Sequence, residues 1–303
     1  MPIPDRLNAA LVLGVFGAAI GLLWWASTLE SLLAVFGVGI LFSYLLLTNY
    51  ALLHEAAHNN LHSDARMNRL LGTMAGILFP LPFSMIRTMH QGHHLRNRTD
   101  FEMFDLYYPQ DSRLIRIVQW YGILLGLFWP WAPIGALLIA LCPGLLHTKP
   151  FRQARSSSYL LGDIRATEIK AIRIEVLLTV LFFAALVWFL HVRWQSTLVL
   201  YACFAVNWST RQYVAHAFSK RDVIEGAWNL RHNRLMSWIL LHGEYDLNHH
   251  RHPELSWYYL PHIESDAPQL SYLRQYWRLW RGPRLATEPG PEALAEIPLS
   301  VHS

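Results

Sequence analysis

The segment His90-Gln91-Gly92-His93-His94 places three histidines within five residues. A similar segment, His54-Glu55-Ala56-Ala57-His58, precedes it, and Asn248-His249-His250 follows far downstream, with His216 before it. Burying an imidazole without a partner is costly, so histidine clusters next to long apolar segments need a common partner. A shared metal centre is our interpretation, because neutral imidazole is a common ligand of iron, zinc and copper.

The spacing within the clusters predicts more than one ion. Histidines four residues apart share one face of a helix, as in the first two clusters. Neighbouring histidines point about 100° apart on a helix, so a pair such as His93-His94 suits two nearby ions better than one. The pair His249-His250 has the same property. Together they predict a dinuclear site.

The composition predicts an integral membrane protein of the all-α class. Of the 303 residues, 53% are hydrophobic and 15% are charged, whereas soluble proteins carry about 25% charged residues. A positive bias in cytoplasmic loops explains the net charge of +4 more simply than nucleic-acid binding, which we do not expect. The two cysteines, Cys142 and Cys203, are far apart in apolar segments and predict neither a disulfide nor a metal site.

The apolar segments predict about four transmembrane helices in two hairpins. Residues 8–25 contain no charge and form a retained first helix, and residues 32–53 span about 33 Å as a helix, enough to cross a bilayer. Residues 176–192 and the segment from 197 to His216 form the second hairpin. The first hairpin and the second each return the chain to one side of the membrane, where the histidine clusters meet.

Other segments predict helices that do not span. Residues 70–86 are broken by glycines and prolines and suit an interfacial or re-entrant helix. Residues 115–128 and 134–146 form either two membrane helices or a shallow hairpin. The stretch 271–285 alternates aromatics with arginines, which suits a helix at the membrane surface or an ordinary packed helix. We expect one domain over 1–303, ordered to residue 286, with a flexible tail over 287–303.

The distribution of Lys and Arg orients the chain. Basic residues follow the first and second histidine clusters and precede the second hairpin, which places the metal site on the cytoplasmic side. We expect an integral protein of a bacterial inner membrane.

The three histidine clusters and the apolar segments between them resemble the membrane-bound fatty acid desaturase and hydroxylase superfamily. His54–His58 corresponds to its first histidine box, His90–His94 to its second, and residues 246–250 to its third. The resemblance covers roughly residues 32–261. The third box departs from the family pattern because Asp246 stands where the family has His or Gln, and a carboxylate can ligate iron or orient a histidine.

The resemblance implies two non-haem irons, O₂ as co-substrate and a lipid acyl substrate held among membrane lipids. Electrons should come from a separate ferredoxin, rubredoxin or cytochrome b5-like protein with its reductase. The implied ligands are His54, His58, His90, His93, His94, His216, His249 and His250, with Asp246 as a ninth candidate. The residues expected to support these ligands are Glu55, Asp100, Glu244, Gln212 and Asn248. An acyl tunnel could be lined by Trp120, Tyr121, Trp129, Trp208 and Phe204.

Alternatives remain open at the level of sequence. Desaturation and hydroxylation share the same ligands. His54-Glu55-Ala56-Ala57-His58 also matches the HExxH pattern of zinc proteases, in which the glutamate is the general base. Such a protease needs one zinc and three protein ligands and leaves the other clusters unexplained. A metal transporter or sensor would use histidines without consuming O₂. Arg96 and Arg98 would meet an anionic head group or a redox partner, or lie at the membrane interface.

Overall fold

The computed structural model describes residues 1–127, 129–149, 151 and 161–297. The described part is mainly helical, with a few two-residue strands. Its longer helices are α1 (Asp5–Thr28), α2 (Leu32–Ala57), α3 (Ala65–Leu78), α4 (Phe83–Arg96), α5 (Arg113–Leu124), α6 (Trp131–Leu141), α7 (Ala166–Leu190) and α8 (Trp194–Gln212). Shorter helices follow: α9 (Arg234–Ile239), α10 (Asp246–Arg251) and α11 (Tyr272–Leu279).

Local sequence explains where the helices of the first half begin and break. Asp64 caps α3 by accepting hydrogen bonds from the backbone N–H groups of Arg66 and Met67, both at 2.9 Å. Between α3 and α4 the chain contains Pro80 and Pro82, which lack a backbone N–H and cannot continue a helix. The two helices therefore meet at 96°. A bend of this kind occurs in a broken span or in a re-entrant loop, so the interfacial or re-entrant helix predicted for residues 70–86 stays a prediction.

Three helices, α1, α2 and α7, are long and apolar enough to cross a membrane, and the bent pair α3–α4 would make a fourth if it counts as one span. The predicted all-α polytopic class is confirmed. The return arm of the second predicted hairpin, α8, is not among these spans, because polar residues such as Asn207 and Arg211 lower its hydropathy. The helices α5 and α6, of 12 and 11 residues, are short for a bilayer, which needs about 20 residues.

The second hairpin is also splayed: α7 packs on α3, α4 and α6, whereas α8 packs along α2 and α1. Gly39 of α2 permits the close approach of α8, since a Cβ atom there would lie 2.8 Å from Cys203 Sγ. Small residues at such positions let membrane helices pack backbone to backbone. The α2–α8 pair thus forms the centre of the bundle.

Hydrogen bonds define the two ends of the bundle. At one end, the α1–α2 and α7–α8 turns meet, where Arg193 donates its backbone N–H to Ser27 Oγ at 2.9 Å. At the other end, Trp257 Nε1 donates to Asn8 Oδ1 at 2.9 Å. The last turn of α2 and the C-terminal end of α8 both lie at this second end. All histidine clusters are therefore brought to one end of the bundle.

Short parallel strand pairs fasten the C-terminal region. Leu106–Tyr107 pairs with Arg284–Leu285, and Leu230–Arg231 pairs with Leu270–Ser271. Trp120 Nε1 on α5 donates to the Leu279 carbonyl of α11 at 2.9 Å. The described part of the tail also contacts the body, since the Leu294 N–H donates to the Leu95 carbonyl at 2.9 Å. The flexibility of residues 287–303 stays a prediction.

Candidate metal centre

Four elements deliver the eight predicted histidines to one place. The end of α2 carries His54 and is followed by His58, α4 carries the second cluster, the turn after α8 carries His216, and α10 carries the third cluster. The imidazoles form two groups within which the candidate ligand atoms lie within 4.8 Å of one another. One group contains His54, His58, His90, His94 and His249, and the other contains His93, His216 and His250.

In the first group the ring nitrogens face one another. His94 Nε2 lies 3.1 Å from His90 Nε2 and 3.0 Å from His249 Nε2. His58 Nε2 lies 2.6 Å from His90 Nε2. A neutral imidazole has only one N–H, so several nitrogens aimed at one another cannot all be satisfied by hydrogen bonds among themselves. A cation between them resolves this arrangement.

A carboxylate lies beside the second group. Asp246 Oδ2 lies 3.1 Å from His216 Nε2 and 3.9 Å from His250 Nε2. This oxygen is buried and accepts no hydrogen bond within the described part of the chain. A buried carboxylate oxygen without a donor is costly unless it meets a cation. The donor set of three imidazoles and one carboxylate therefore fits a metal ion.

The neighbouring histidines fall into different groups. His93 belongs to the second group and His94 to the first, and His249 and His250 divide in the same way. The groups adjoin, since the rings of His94 and His250 have centroids 4.5 Å apart. This is the arrangement that the adjacent pairs predicted for a dinuclear site.

Burial keeps the histidines of the third cluster neutral. Desolvation and the surrounding imidazoles lower the pKa of His249 and His250 well below the ordinary value for histidine. Burial also lowers the pKa of His216, although the Asp246 carboxylate acts in the opposite direction. Neutral imidazole is the form that binds metals, so these side chains are ready to bind at neutral pH.

Two glutamates lie beside predicted ligands. Glu55, predicted in this role, has Oε1 3.8 Å from His54 Nδ1, while its Oε2 accepts the Trp257 N–H at 2.9 Å. Glu102 was not predicted, and its Oε2 lies 2.6 Å from His93 Nδ1. Its position in the sequence, a few residues after the second box, was the only available signal.

Asp100, predicted for the role that Glu102 occupies, lies elsewhere. Its Oδ1 accepts hydrogen bonds from Arg221 Nη2 and Tyr108 Oη, both at 2.6 Å. Although burial would raise the pKa of this carboxyl, these donors hold it below its usual range. Because the chain turns after α4, the side chains of Asp100 and Glu102 point in different directions. Their spacing in the sequence does not show which of them faces the histidines.

Three further predicted supporting residues also contact other groups. Glu244 Oε1 lies 3.9 Å from His242 Nδ1, and the exposed Gln212 donates to Tyr50 Oη at 2.9 Å. Asn248 donates to the Leu260 carbonyl at 3.1 Å and so holds the loop after α10. Within the described contacts these side chains position the surrounding backbone and cavity wall, and they make no bond to a ligand imidazole.

Arg96 and Arg98 are buried and paired, unlike the head-group or interface roles considered for them. Arg96 Nη1 donates to Asp163 Oδ2 at 2.7 Å, and Arg98 Nη1 donates to Asp105 Oδ1 at 2.6 Å. Asp163 lies just before α7, and Asp105 lies in the segment after α4. These pairs fix the C-terminal end of α4 and thereby the second histidine cluster.

A cavity of about 520 Å³ adjoins the histidines and extends between apolar side chains. Trp129 and Trp208 line it, as predicted. Phe204, which was also predicted to line it, lies outside the lining and packs against Trp129 with ring centroids 5.8 Å apart. Trp120 and Tyr121 lie outside its lining, because they bond to the backbone around α11. The cavity offers an apolar space that begins at the candidate metal centre.

The model of the fatty acid desaturase family matches residues 30–281. The chain belongs to the fatty acid desaturase family. The match includes all eight histidines of the two groups and Asp246. A comparison with curated proteins gave no match. Family membership makes the chain an oxidoreductase of the desaturase or hydroxylase type, and it implies a lipid acyl substrate. The donor set of the two histidine groups fits the iron that the family uses.

Proposed function

We propose that the protein is an O₂-dependent di-iron enzyme that oxidises a lipid acyl chain, most simply by desaturation. The observation that carries this proposal is the division of the histidines into two adjoining groups at the end of an apolar cavity. Each of the two groups would hold one iron. Asp246 would complete the donor set of the second group.

The chain's residues supply position and environment. Two irons, when bound, supply the means to reduce O₂ with external electrons. Glu102 holds His93 by its Nδ1 atom, which leaves Nε2 as the nitrogen free to face a metal. The apolar cavity excludes water and holds an acyl chain that offers no charge to bind. Binding the acyl chain in one position determines which of its carbons reacts.

Desaturation removes one hydrogen from each of two adjacent carbons and forms the C=C bond, while O₂ is reduced to two waters with two electrons and two protons from outside. Hydroxylation by the same site would place one oxygen atom in a C–H bond and release one water, with the same electrons and protons. The electrons would come from a separate one-electron carrier such as a ferredoxin, a rubredoxin or a cytochrome b5-like protein. We place the metal site on the cytoplasmic side of a bacterial inner membrane, as the positive charge bias predicts.

The zinc protease is the less supported alternative. It requires Glu55 to act as a general base on a metal-bound water. Glu55 instead accepts the Trp257 backbone N–H and lies beside His54 Nδ1. A single zinc would also leave the group around His250 without a role.

Metal analysis followed by lipid profiling tests the proposal. The purified protein should contain about two irons per chain, and cells that express it should contain new unsaturated or hydroxylated acyl chains. His93→Ala and His249→Ala should each reduce the iron content and abolish the new products. His191→Asn is the matched control, since His191 is exposed in the α7–α8 turn with a left-handed φ of 52° that Asn tolerates. One zinc per chain with no lipid product would refute the proposal.

A further inference from the structure

Arg211, in the last turn of α8, has only neutral partners within the described part of the chain. Its Nε donates to Asn207 Oδ1 at 2.8 Å, Nη1 to Tyr272 Oη at 3.3 Å and Nη2 to Tyr44 Oη at 3.4 Å. The guanidinium carbon lies 5.7, 5.8 and 6.0 Å from the ring centres of Tyr44, Tyr272 and Tyr276. The aromatic rings hold the cation in place without neutralising it.

Four other buried or half-buried arginines in the described part of the chain have carboxylate partners. The pairs are Arg96–Asp163, Arg98–Asp105, Arg221–Asp100 and Arg251–Glu225. A charge taken from water is costly unless it is paired, which explains those four pairs. Arg211 is half-buried and, like the half-buried Arg87 and Arg278, has no carboxylate partner among the described ion pairs. Of these three arginines, only Arg211 lines the cavity next to the histidines. Its position therefore leaves room for an anion that the chain does not supply.

Arg211 and Tyr272 line the same cavity as His216 and the other histidines. Glu244 also lines this cavity, and both Glu244 and Arg211 are close enough to His232 to act on the pKa of its imidazole in opposite directions. The Glu244 carboxylate lies 3.9 Å from His242 Nδ1, and no described hydrogen bond or ion pair joins it to Arg211. One cavity thus combines the candidate metal centre, an apolar wall and a guanidinium that has no described contact with a carboxylate. A pure hydrocarbon would use the first two features and leave the third without a partner.

We propose that Arg211 binds the anionic head of an amphiphilic substrate whose acyl chain occupies the apolar part of the cavity. This inference rests on the proposed function and narrows its substrate class to chains that carry a carboxylate or a phosphate. A guanidinium presents parallel N–H donors that match either group, and a lysine would not reproduce this geometry. Neutral esters and hydrocarbons lack the charge and bind more weakly.

A binding measurement tests the inference independently of turnover. Hexadecanoic acid, methyl hexadecanoate and hexadecyl phosphate compete with a fluorescent acyl probe for the purified, metal-loaded protein in uncharged detergent, at an alkaline pH that ionises the acid. The wild type should bind the acid about tenfold or more tightly than the ester, as expected for a charge-assisted hydrogen bond. Arg211→Met should remove this preference by weakening acid binding alone, and Arg211→Lys should keep part of it.

Arg274→Met is the matched control, because Arg274 is an exposed arginine of α11 outside the cavity lining. Unchanged binding of the ester shows that a variant is folded. If Arg211→Met still prefers the acid, or if the wild type shows no preference, the inference is overturned. If hexadecyl phosphate also binds through Arg211, competition by phosphatidylglycerol distinguishes a phospholipid head from a free acid. If the protein never binds iron but still binds the acid through Arg211, the proposed function is overturned and the anion site at Arg211 is retained.

Discussion

His93 Nδ1 lies 2.6 Å from Glu102 Oε2, the closest contact between a cluster histidine and a carboxylate in the described part of the chain. Carboxylates that bind the second nitrogen of a metal-ligating histidine fix its tautomer and orientation. His93 belongs to the same group as His216 and His250. Glu102 should therefore affect how tightly the group of His93, His216 and His250 binds a metal ion.

Glu102→Gln should lower iron affinity at that position by about 10–100-fold, because the amide cannot hold the His93 N–H as a carboxylate does. Iron per chain, measured by mass spectrometry during titration with a chelator, would show the loss. Asp100→Asn is the matched control and should retain its iron, with no more than about 1 kcal/mol lost from a partly exposed ion pair. Loss of iron from Asp100→Asn rather than Glu102→Gln would show that the assignment is reversed.

Asp246 offers a second test, since its Oδ2 lies 3.1 Å from His216 Nε2 and accepts no hydrogen bond from the residues that the structure describes. Asp246→Ala should lower the iron content from about two per chain towards one, because a donor of the second group is lost. Asp246→His places the residue typical of the family at this position and should restore part of the iron and of the lipid oxidation. An alanine variant with full iron and full activity would exclude Asp246 as a ligand.

The contact between α3 and α2 should be sensitive to one methyl group. A Cβ atom at Gly72 would lie 2.9 Å from Ala56 Cβ and 2.9 Å from the Phe83 ring, close to the first histidine cluster. Gly72→Ala should therefore reduce the free energy of unfolding by about 1–3 kcal/mol. The midpoint of thermal unfolding of the metal-loaded protein measures this effect.

Gly17→Ala is the control for that substitution. Gly17 is also helical, and apart from the nearby backbone of its own helix no atom of the described residues lies within 4 Å of a Cβ placed there. Replacing a helical glycine by alanine usually stabilises the helix by about 0.5–1 kcal/mol. Equal destabilisation by both substitutions would mean that the α2–α3 contact does not determine the result, since Gly17 has no such contact.

Trp208 should limit the size of the acyl chain if the cavity is the substrate site. It lines the cavity and packs against Tyr50 and Phe79, with ring centroids 5.3 and 5.4 Å away. Trp208→Leu should enlarge the cavity and shift the products towards longer or bulkier chains, as read by gas chromatography of cell lipids. Trp277→Ala, at a side chain 66% exposed on α11, should leave the product pattern unchanged. The same shift in both variants would argue against this cavity.

Much of the fold could be predicted because its signals are local. Long apolar runs predicted α1, α2 and α7, and the prolines predicted the break between α3 and α4. The second hairpin was predicted less well. Its return arm carries Asn207 and Arg211, and it packs along α2 instead of beside α7, a choice that depends on side-chain fit at Gly39.

The eight histidines were predicted from the family resemblance, and two neighbouring ions were predicted because adjacent residues such as His93 and His94 diverge on any helix. The membership of the two groups comes from the structure. The residues that support the histidines were predicted less well. Glu102 rather than Asp100 reaches His93, and Arg96 and Arg98 bind carboxylates instead of facing outward. These partners depend on how the chain turns after α4.

The sequence by itself determined a helical membrane protein with clustered histidines at one end, since hydropathy and helical periodicity act over a few residues and need no knowledge of distant ones. Only the tertiary structure decided that the cavity joins those histidines to Arg211, and that this arginine bonds to neutral side chains and to no carboxylate of the described residues. The physical reason is that burial and pairing of a charge depend on residues from α2, α8 and α11, which are far apart in sequence and meet only in the folded chain.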